Sequence, residues 1–402
     1  MSRCRHVTPL KPVPTGARSL SWLAAEPFRV FFPWAALLSI AGVMLWPLFF
    51  AGWLHFLPAL PHSRLMIFGF GGGSVIGFLG TAAPRMLGTP ALRPCEVGLL
   101  WVLHASAMVA CARLHDELGC SLFAATLITL MLFIGWRFRQ RTDLPPPAFA
   151  LVMTGLVCGV TGSVMSALHV DWQNAFAFRL TRLLTDEAFL LLPVLGVAGF
   201  LITRILGLPS RQSFPDGPLP MPGWCPLMIE ALLAGSLLIG TFVLEAAGEI
   251  RLGAAIRFCV LMGWWSRDAP GLWRVKTVGT QAWMLKTGLG FIAAAPLALA
   301  CDPPHVIAME HVLFVTGFGL TILGVSSRVV YGHSGHLAET RLVSKPLRWV
   351  VWLAVLAMTT RVSADYAVSI QNSHYVYAAL TWVAIAVIWL RLVWTKLWTP
   401  DS

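Results

Sequence analysis

Histidines carry the most reactive side-chain chemistry in this sequence, and they are unevenly placed. His62 and His374 open apolar runs, His311 lies inside one, and His55, His169 and His305 fall in or beside the short stretches between runs. Imidazole is a good ligand for haem iron and for copper. In a helical bundle the ligands come from different helices, so no single spacing motif would show the site. Interfacial histidines can instead be satisfied by water, carbonyls and lipid headgroups, and we read His55, His169 and His305 that way. His311 differs because it lies roughly two turns inside its run, next to Glu310. A carboxylate and an imidazole in lipid must be paired or ligated, so both should face the bundle interior. A helix-to-helix hydrogen bond is the plain reading of His311; a ligand or proton relay is the alternative.

A second set of buried charges could move protons. Thr185-Asp186-Glu187 precedes FLLLPVLGVAGFLITR, in which Pro193 should kink the helix. Glu187 is therefore a candidate proton carrier or metal carboxylate. Lys286 lies in a later run, and Arg361 with Asp365 has the i, i+4 spacing of a self-neutralising pair. His333-x-x-His336 has metal-like spacing but reads equally well as a solvated loop. The eight cysteines include no C-x-x-C pair, which argues against iron–sulfur, structural zinc and attached c-type haem. Gly69-Phe70-Gly71 only echoes a dinucleotide fingerprint, since no strand precedes it. No phosphate loop, H-E-x-x-H or nucleophile elbow is present.

Two glycine stripes bear on how these residues are positioned. Gly69, Gly73, Gly77 and Gly80 recur at four, four and three residues, and so share one helix face. Glu310, Gly317, Thr321, Gly324 and Arg328 share a face of a later run. Such stripes let a helix backbone, or a flat rigid ligand, come close. Two uses are open: packing of the two glycine-bearing helices against each other, or a porphyrin plane between them.

Composition fixes the solvent. The chain has 402 residues, 57% hydrophobic and 12% charged, with 18 Trp and 23 Phe, and a mean hydropathy of +0.73. That is an all-α, polytopic transmembrane bundle. Continuous rather than alternating apolar runs exclude a β-barrel. About twelve runs of roughly 20 residues are expected, at 31–54, 65–84, 97–112, 118–136, 148–168, 183–204, 226–246, 252–266, 281–300, 305–327, 347–368 and 375–395. The third run holds His104 and the short eighth holds Arg257. We expect a cytoplasmic tail at 1–26, a single transmembrane domain at 27–398 and a short tail at 399–402. Cys4-Arg5-His6 in the first tail is read as inert. No internal repeat stands out, so an inverted-repeat transporter is neither supported nor excluded.

The net charge of +11 would suggest nucleic acid in a soluble protein. Here the basic residues sit between apolar runs, and lipid topology explains them without nucleic acid. Arg85 and Arg93, then Arg137, Arg139 and Arg141, then Arg204 and Arg211 follow alternate runs. Both termini should therefore be cytoplasmic, and His55, His62, His169, His305, His311 and His374 extracytoplasmic.

Three patches resemble the NnrS family of bacterial membrane proteins: MIFGFGGGSVIGFLGTAAPRMLGTP at 66–90, EAFLLLPVLGVAGFLITRILGLP at 187–209, and HVLFVTGFGLTILGVSSRVVYGHSGH at 311–336. The resemblance implies a bacterial inner-membrane protein containing haem and copper and linked to nitric oxide metabolism or nitrosative-stress tolerance. On that reading His62 and His311 are the first metal ligands, with His374 and His104 as further candidates. Gly73, Gly77, Gly317 and Gly324 would flank the haem, and Glu187, Glu310 and Arg328 would handle protons or hydrogen-bond the ligands. Nitric oxide would be the ligand, and a redox role would call for an electron-transfer partner. If the chain is an enzyme, it is a haem-dependent oxidoreductase processing nitric oxide. One departure matters. The family's second span typically opens with a His-x-His-Glu-Met run, whereas this chain reads His62-Ser63-Arg64-Leu65-Met66, so a metal site using the second His and the Glu would be incomplete. A transporter or metal-delivery protein without a retained cofactor is the competing reading. A respiratory haem–copper reductase is disfavoured by the lack of a His-His pair and of a His-Pro-Glu-Val-Tyr motif.

Overall fold

The computed structural model describes residues 19–212 and 217–400, so Cys4, Arg5 and His6 lie outside the described residues. No strand occurs among the described residues, in keeping with a chain that must satisfy its backbone inside each segment in lipid. A short helix α1 (Leu20–Ala25) is followed by α2 (Phe28–Phe50), α3 (Ala59–Met86), α4 (Pro94–Ala112), α5 (Asp116–Arg139), α6 (Phe149–Ala167) and α7 (Ala175–Leu206). Then come α8 (Trp224–Ala246), α9 (Ile250–Asp268), α10 (Thr280–Cys301), α11 (Pro303–Gly332), α12 (Lys345–Tyr366) and α13 (Val368–Leu397). Eleven of these are long and apolar enough to cross a membrane. The twelfth long helix, α9, carries Arg251, Arg257, Arg267 and Asp268, which lower its hydropathy without shortening it. Within the expected tail, α1 folds onto α4 and buries Trp22, so the packed domain begins before residue 27.

Local sequence sets the helix ends. Asn174 caps α7 through its side chain, 2.8 Å from the amide of Ala177, and Glu96 closes a capping box with the Arg93 amide at 2.7 Å. Gly207, at φ 68°, stops α7 in a conformation that suits glycine.

Three helices are discontinuous, and they are the three that carry the glycine- and charge-bearing patches. A π-helical stretch interrupts α3 at Leu65–Gly72, α7 at Leu183–Ala188 and again at Ala198–Ile202, and α11 at Val312–Phe318. Each π turn inserts a residue and re-aims the side chains beyond it. The most apolar windows of α3 and α7 are 78% buried, against 28% for α8, which makes α3 and α7 inner helices and α8 an outer one.

These inner helices are four spans apart, and the packing repeats with the same period. The first span of each quartet packs on the second (α2 on α3, α6 on α7, α10 on α11), and the third packs on the fourth (α4 on α5, α8 on α9, α12 on α13). The fourth then packs on the first of the next quartet: α5 on α6, α9 on α10, and α13 back onto α2. The fold is thus a closed ring of three four-helix units, a repeat that the sequence does not display.

Candidate functional site

The first and second spans of each quartet meet on glycine. Gly73 lies against Ala35, Gly77 against Phe31 and Phe32, and Gly69 against Leu38 and Met108. On α6, Gly155, Gly159 and Gly162 receive Pro193, Phe189 and Thr185 of α7, while Gly317 and Gly324 of α11 receive Ile292 and Leu285 of α10. The two stripes thus do not face one another. Each face is filled by its own neighbouring helix, which corrects the expectation that the stripe of α11 packs on that of α3. Gly73, Gly77, Gly317 and Gly324 are accounted for by this close helix approach.

His62 and His311, from α3 and α11, come to the same end of the bundle. His311 has His62, Arg361 and Arg182 close enough for their charges to interact. The Nδ1–H of His62 donates to the carbonyl of Gly42 at 3.0 Å, and that of His311 to the carbonyl of Ile307 at 2.6 Å. With Nδ1 as the donor, Nε2 keeps its lone pair, the arrangement usual for a metal-ligating imidazole. No hydrogen bond from a described residue reaches either Nε2. His374 is also held through Nδ1, by the carbonyl of Ile370 at 3.0 Å, and its ring stands beside Tyr377. It does not complete a three-ligand set with the other two, because no group of three His, Cys, Asp or Glu able to hold one ion occurs among the described residues. His104 has no lone pair to offer. It accepts from Trp34 Nε1 at 3.2 Å and donates to the carbonyl of Phe68 at 2.9 Å.

Arg64, which stands where the resemblance expects a second histidine, is buried and bidentate to Asp116 at 2.9 and 3.0 Å, with a further bond to Ser166. A guanidinium has no lone pair to give a metal. Arg328 lies 17 residues beyond His311 along α11, about 25 Å at the helical rise, and donates to Thr340 at 2.6 Å. It belongs to the opposite end of the bundle from the histidine pair.

Glu187 and Glu310 do come together, through Arg179, Glu245 and Arg257. Arg257 binds Glu187 at 3.1 Å and Glu245 at 2.5 Å; Arg179 binds Glu245 and, at 2.6 Å, Glu310. Arg179 and Glu245 sit near helix ends, where a charge looks like a boundary residue, and only Arg257, inside an apolar run, gives a usable signal. Lys286 reaches loop carbonyls of Trp273 and Val275, and Arg361 pairs with Asp365 at 2.6 Å as its spacing implied.

Between the three inner helices lies a cavity of about 70 Å³, walled by Val75 and Phe78 of α3, Pro193 and Val194 of α7, and Ile322 and Val325 of α11. It is small beside the roughly 300–1,000 Å³ of a drug-sized ligand site.

Among the described residues, twelve long helices, eleven of them apolar enough to cross a membrane and three of them broken, with ligand-type histidines at one end, define a multi-pass membrane protein with a buried polar site. The family model described as NnrS protein matches residues 22–400, and the chain belongs to that family. No curated protein matches it.

Proposed function

We propose that this chain is an inner-membrane haem protein of nitric oxide metabolism or nitrosative-stress tolerance, with His62 and His311 as the metal ligands. The observation that carries the reading is the pair of imidazoles on α3 and α11, each fixed through Nδ1 by a backbone carbonyl and each with Nε2 left to ligate. The donor set fits a haem iron or a copper ion. The glycine faces do not form its cradle, since Ala35, Phe31, Ile292 and Leu285 fill them. A haem held by this pair would supply an iron able to bind nitric oxide. Glu310, anchored by Arg179, fixes the backbone beside His311, and Arg361 and Arg182 set the local positive charge. A copper site built on the family run would be incomplete, because Arg64 and Leu65 replace its second His and its Glu.

The test is the ultraviolet–visible spectrum of detergent-purified protein, oxidised, reduced and after nitric oxide, with metal analysis of the same sample. A Soret band that shifts with nitric oxide and is lost in His311→Ala is expected. A colourless, metal-free preparation that cannot be reconstituted would overturn the assignment. It would favour the second reading, a transporter, to which the three broken inner helices around a cavity also point. Substrate-dependent uptake into proteoliposomes decides that case.

A further inference from the structure

Five charged side chains from four helices form one buried network: Arg179 and Glu187 of α7, Glu245 of α8, Arg257 of α9 and Glu310 of α11. Three carboxylates meet two guanidiniums, so with every group ionised the network carries one negative charge too many. In an interior of low dielectric that excess must be neutralised.

The geometry singles out one carboxylate. Glu245 is gripped by both arginines, and its side chain is 0% exposed. Glu310 accepts from Arg179 at 2.6 Å. Glu187 has a single, longer contact, Oε2 to Arg257 at 3.1 Å, and no described residue bonds its Oε1. Glu187 is 3% exposed, and together with Glu310 it lines a cavity of about 10 Å³ closed by Leu261, Ile292, Met309 and Leu313. That volume has room for one water. The charged groups facing Glu187 are Arg257, Glu245, Glu310 and Arg179. From α6, the residues set against Thr185 and Phe189, on either side of Glu187 in the chain, are Gly162 and Gly159, which carry no charge.

We propose that Glu187 is a proton-binding site: it carries one proton at neutral pH, on Oε1, which no described residue bonds, and this proton balances the three carboxylates against the two arginines. The site stands whether or not a metal occupies the histidine pair.

Infrared difference spectroscopy of the purified full-length protein tests it. The wild type should show a carboxylic-acid carbonyl band that moves to lower frequency in D2O and disappears in E187Q, whose amide oxygen still accepts from Arg257. Asp186 and Asp268 are also buried, so the reading is the wild-type minus E187Q difference. E245Q makes the count two carboxylates to two guanidiniums, and should remove the same band although Glu187 is still present. No exchange-sensitive acid band in the wild type, a reading that needs no variant to fold, would overturn the proposal. So would a band unaltered by E187Q, or one that survives E245Q. A bound sodium ion in place of the proton would leave no acid band and make thermal stability depend on sodium at fixed ionic strength, and that too would overturn it.

Discussion

Arg29, at the start of the first span, donates through Nη1 to the carbonyl of Leu397, the last residue of the twelfth, at 2.5 Å. Arg29 is fully buried and also pairs with Glu26. The bond spans the seam where the ring of helices closes. Arg29→Met should leave the carbonyl of Leu397 at the end of α13 unmet and take from Glu26 its fully buried partner, with Arg85 and His333 remaining. Breaking a buried ion pair costs about 3–5 kcal/mol, so a clear fall in detergent-phase unfolding temperature is expected. An unchanged unfolding temperature would show that the seam is not held there.

Glu26 gathers Arg29, Arg85 and His333 at the same end of the bundle. Burial alone would push its carboxyl up, but the hydrogen bond and charge of His333, with Arg29 and Arg85, outweigh burial and hold it down at about 2. A carboxyl lowered on folding from the ordinary 4.5 stabilises the folded state fully above about 4.5, and that contribution is lost as pH falls toward about 2. Thermal melts from pH 6 downward should show a loss through this window that Glu26→Gln lacks. Identical pH profiles for the two proteins would contradict the pairing.

Two histidines should fail differently. His104 is buried with both nitrogens bonded, so His104→Ala leaves the Trp34 indole and the Phe68 carbonyl unmet, at about 1–3 kcal/mol. Metal content should be unaffected. His311→Ala should lower metal content with a smaller loss of stability. Metal analysis alongside thermal melts separates the two, and the reverse pattern would reassign the ligand.

Glycine positions can be graded by what an added methyl meets. At Gly155 it would lie 2.3 Å from Pro193 Cδ, inside the α6–α7 contact, whereas at Gly98 it meets nothing within 4 Å. Gly155→Ala is expected to destabilise by about 1–3 kcal/mol through overpacking. Gly98→Ala, in the helix α4, should be neutral or mildly stabilising. Comparing the two unfolding temperatures checks the packing directly.

Arg64→His would put back the histidine that the family run carries at this position, but it takes from Asp116 its bidentate partner. The expected result is a gain in bound metal per chain with a loss of about 1–3 kcal/mol, moderated because Asp116 is partly exposed. A variant that gains no metal would mean that Leu65, in place of the family's Glu, is enough to prevent the site from forming.

Much of the scaffold could be read from residue order alone, since lipid demands long apolar runs and the chain has twelve. The helices that matter most were also marked, because glycine, proline and acidic residues inside such runs are costly and therefore informative. The π turns were not legible: any apolar stretch satisfies an i→i−4 or an i→i−5 bond equally well in sequence terms. Arg179 and Glu245 escaped notice because charges near span ends are ordinarily solvated. The glycines of α3 and α11 were recognised as close-approach surfaces, but only packing shows that α2 and α10 take that space. The ring of three units was hidden because inner helices under different local demands keep the same role without keeping the same residues.

That ring makes the chain order partly arbitrary. The contact of α13 with α2 is the same kind of contact as α5 with α6 or α9 with α10. A protein whose ends were linked near Leu20 and Trp398, and which was opened instead between Arg139 and Phe149, would keep every helix-to-helix contact of the original. Circular permutants cut between quartets should therefore assemble where cuts within a quartet do not.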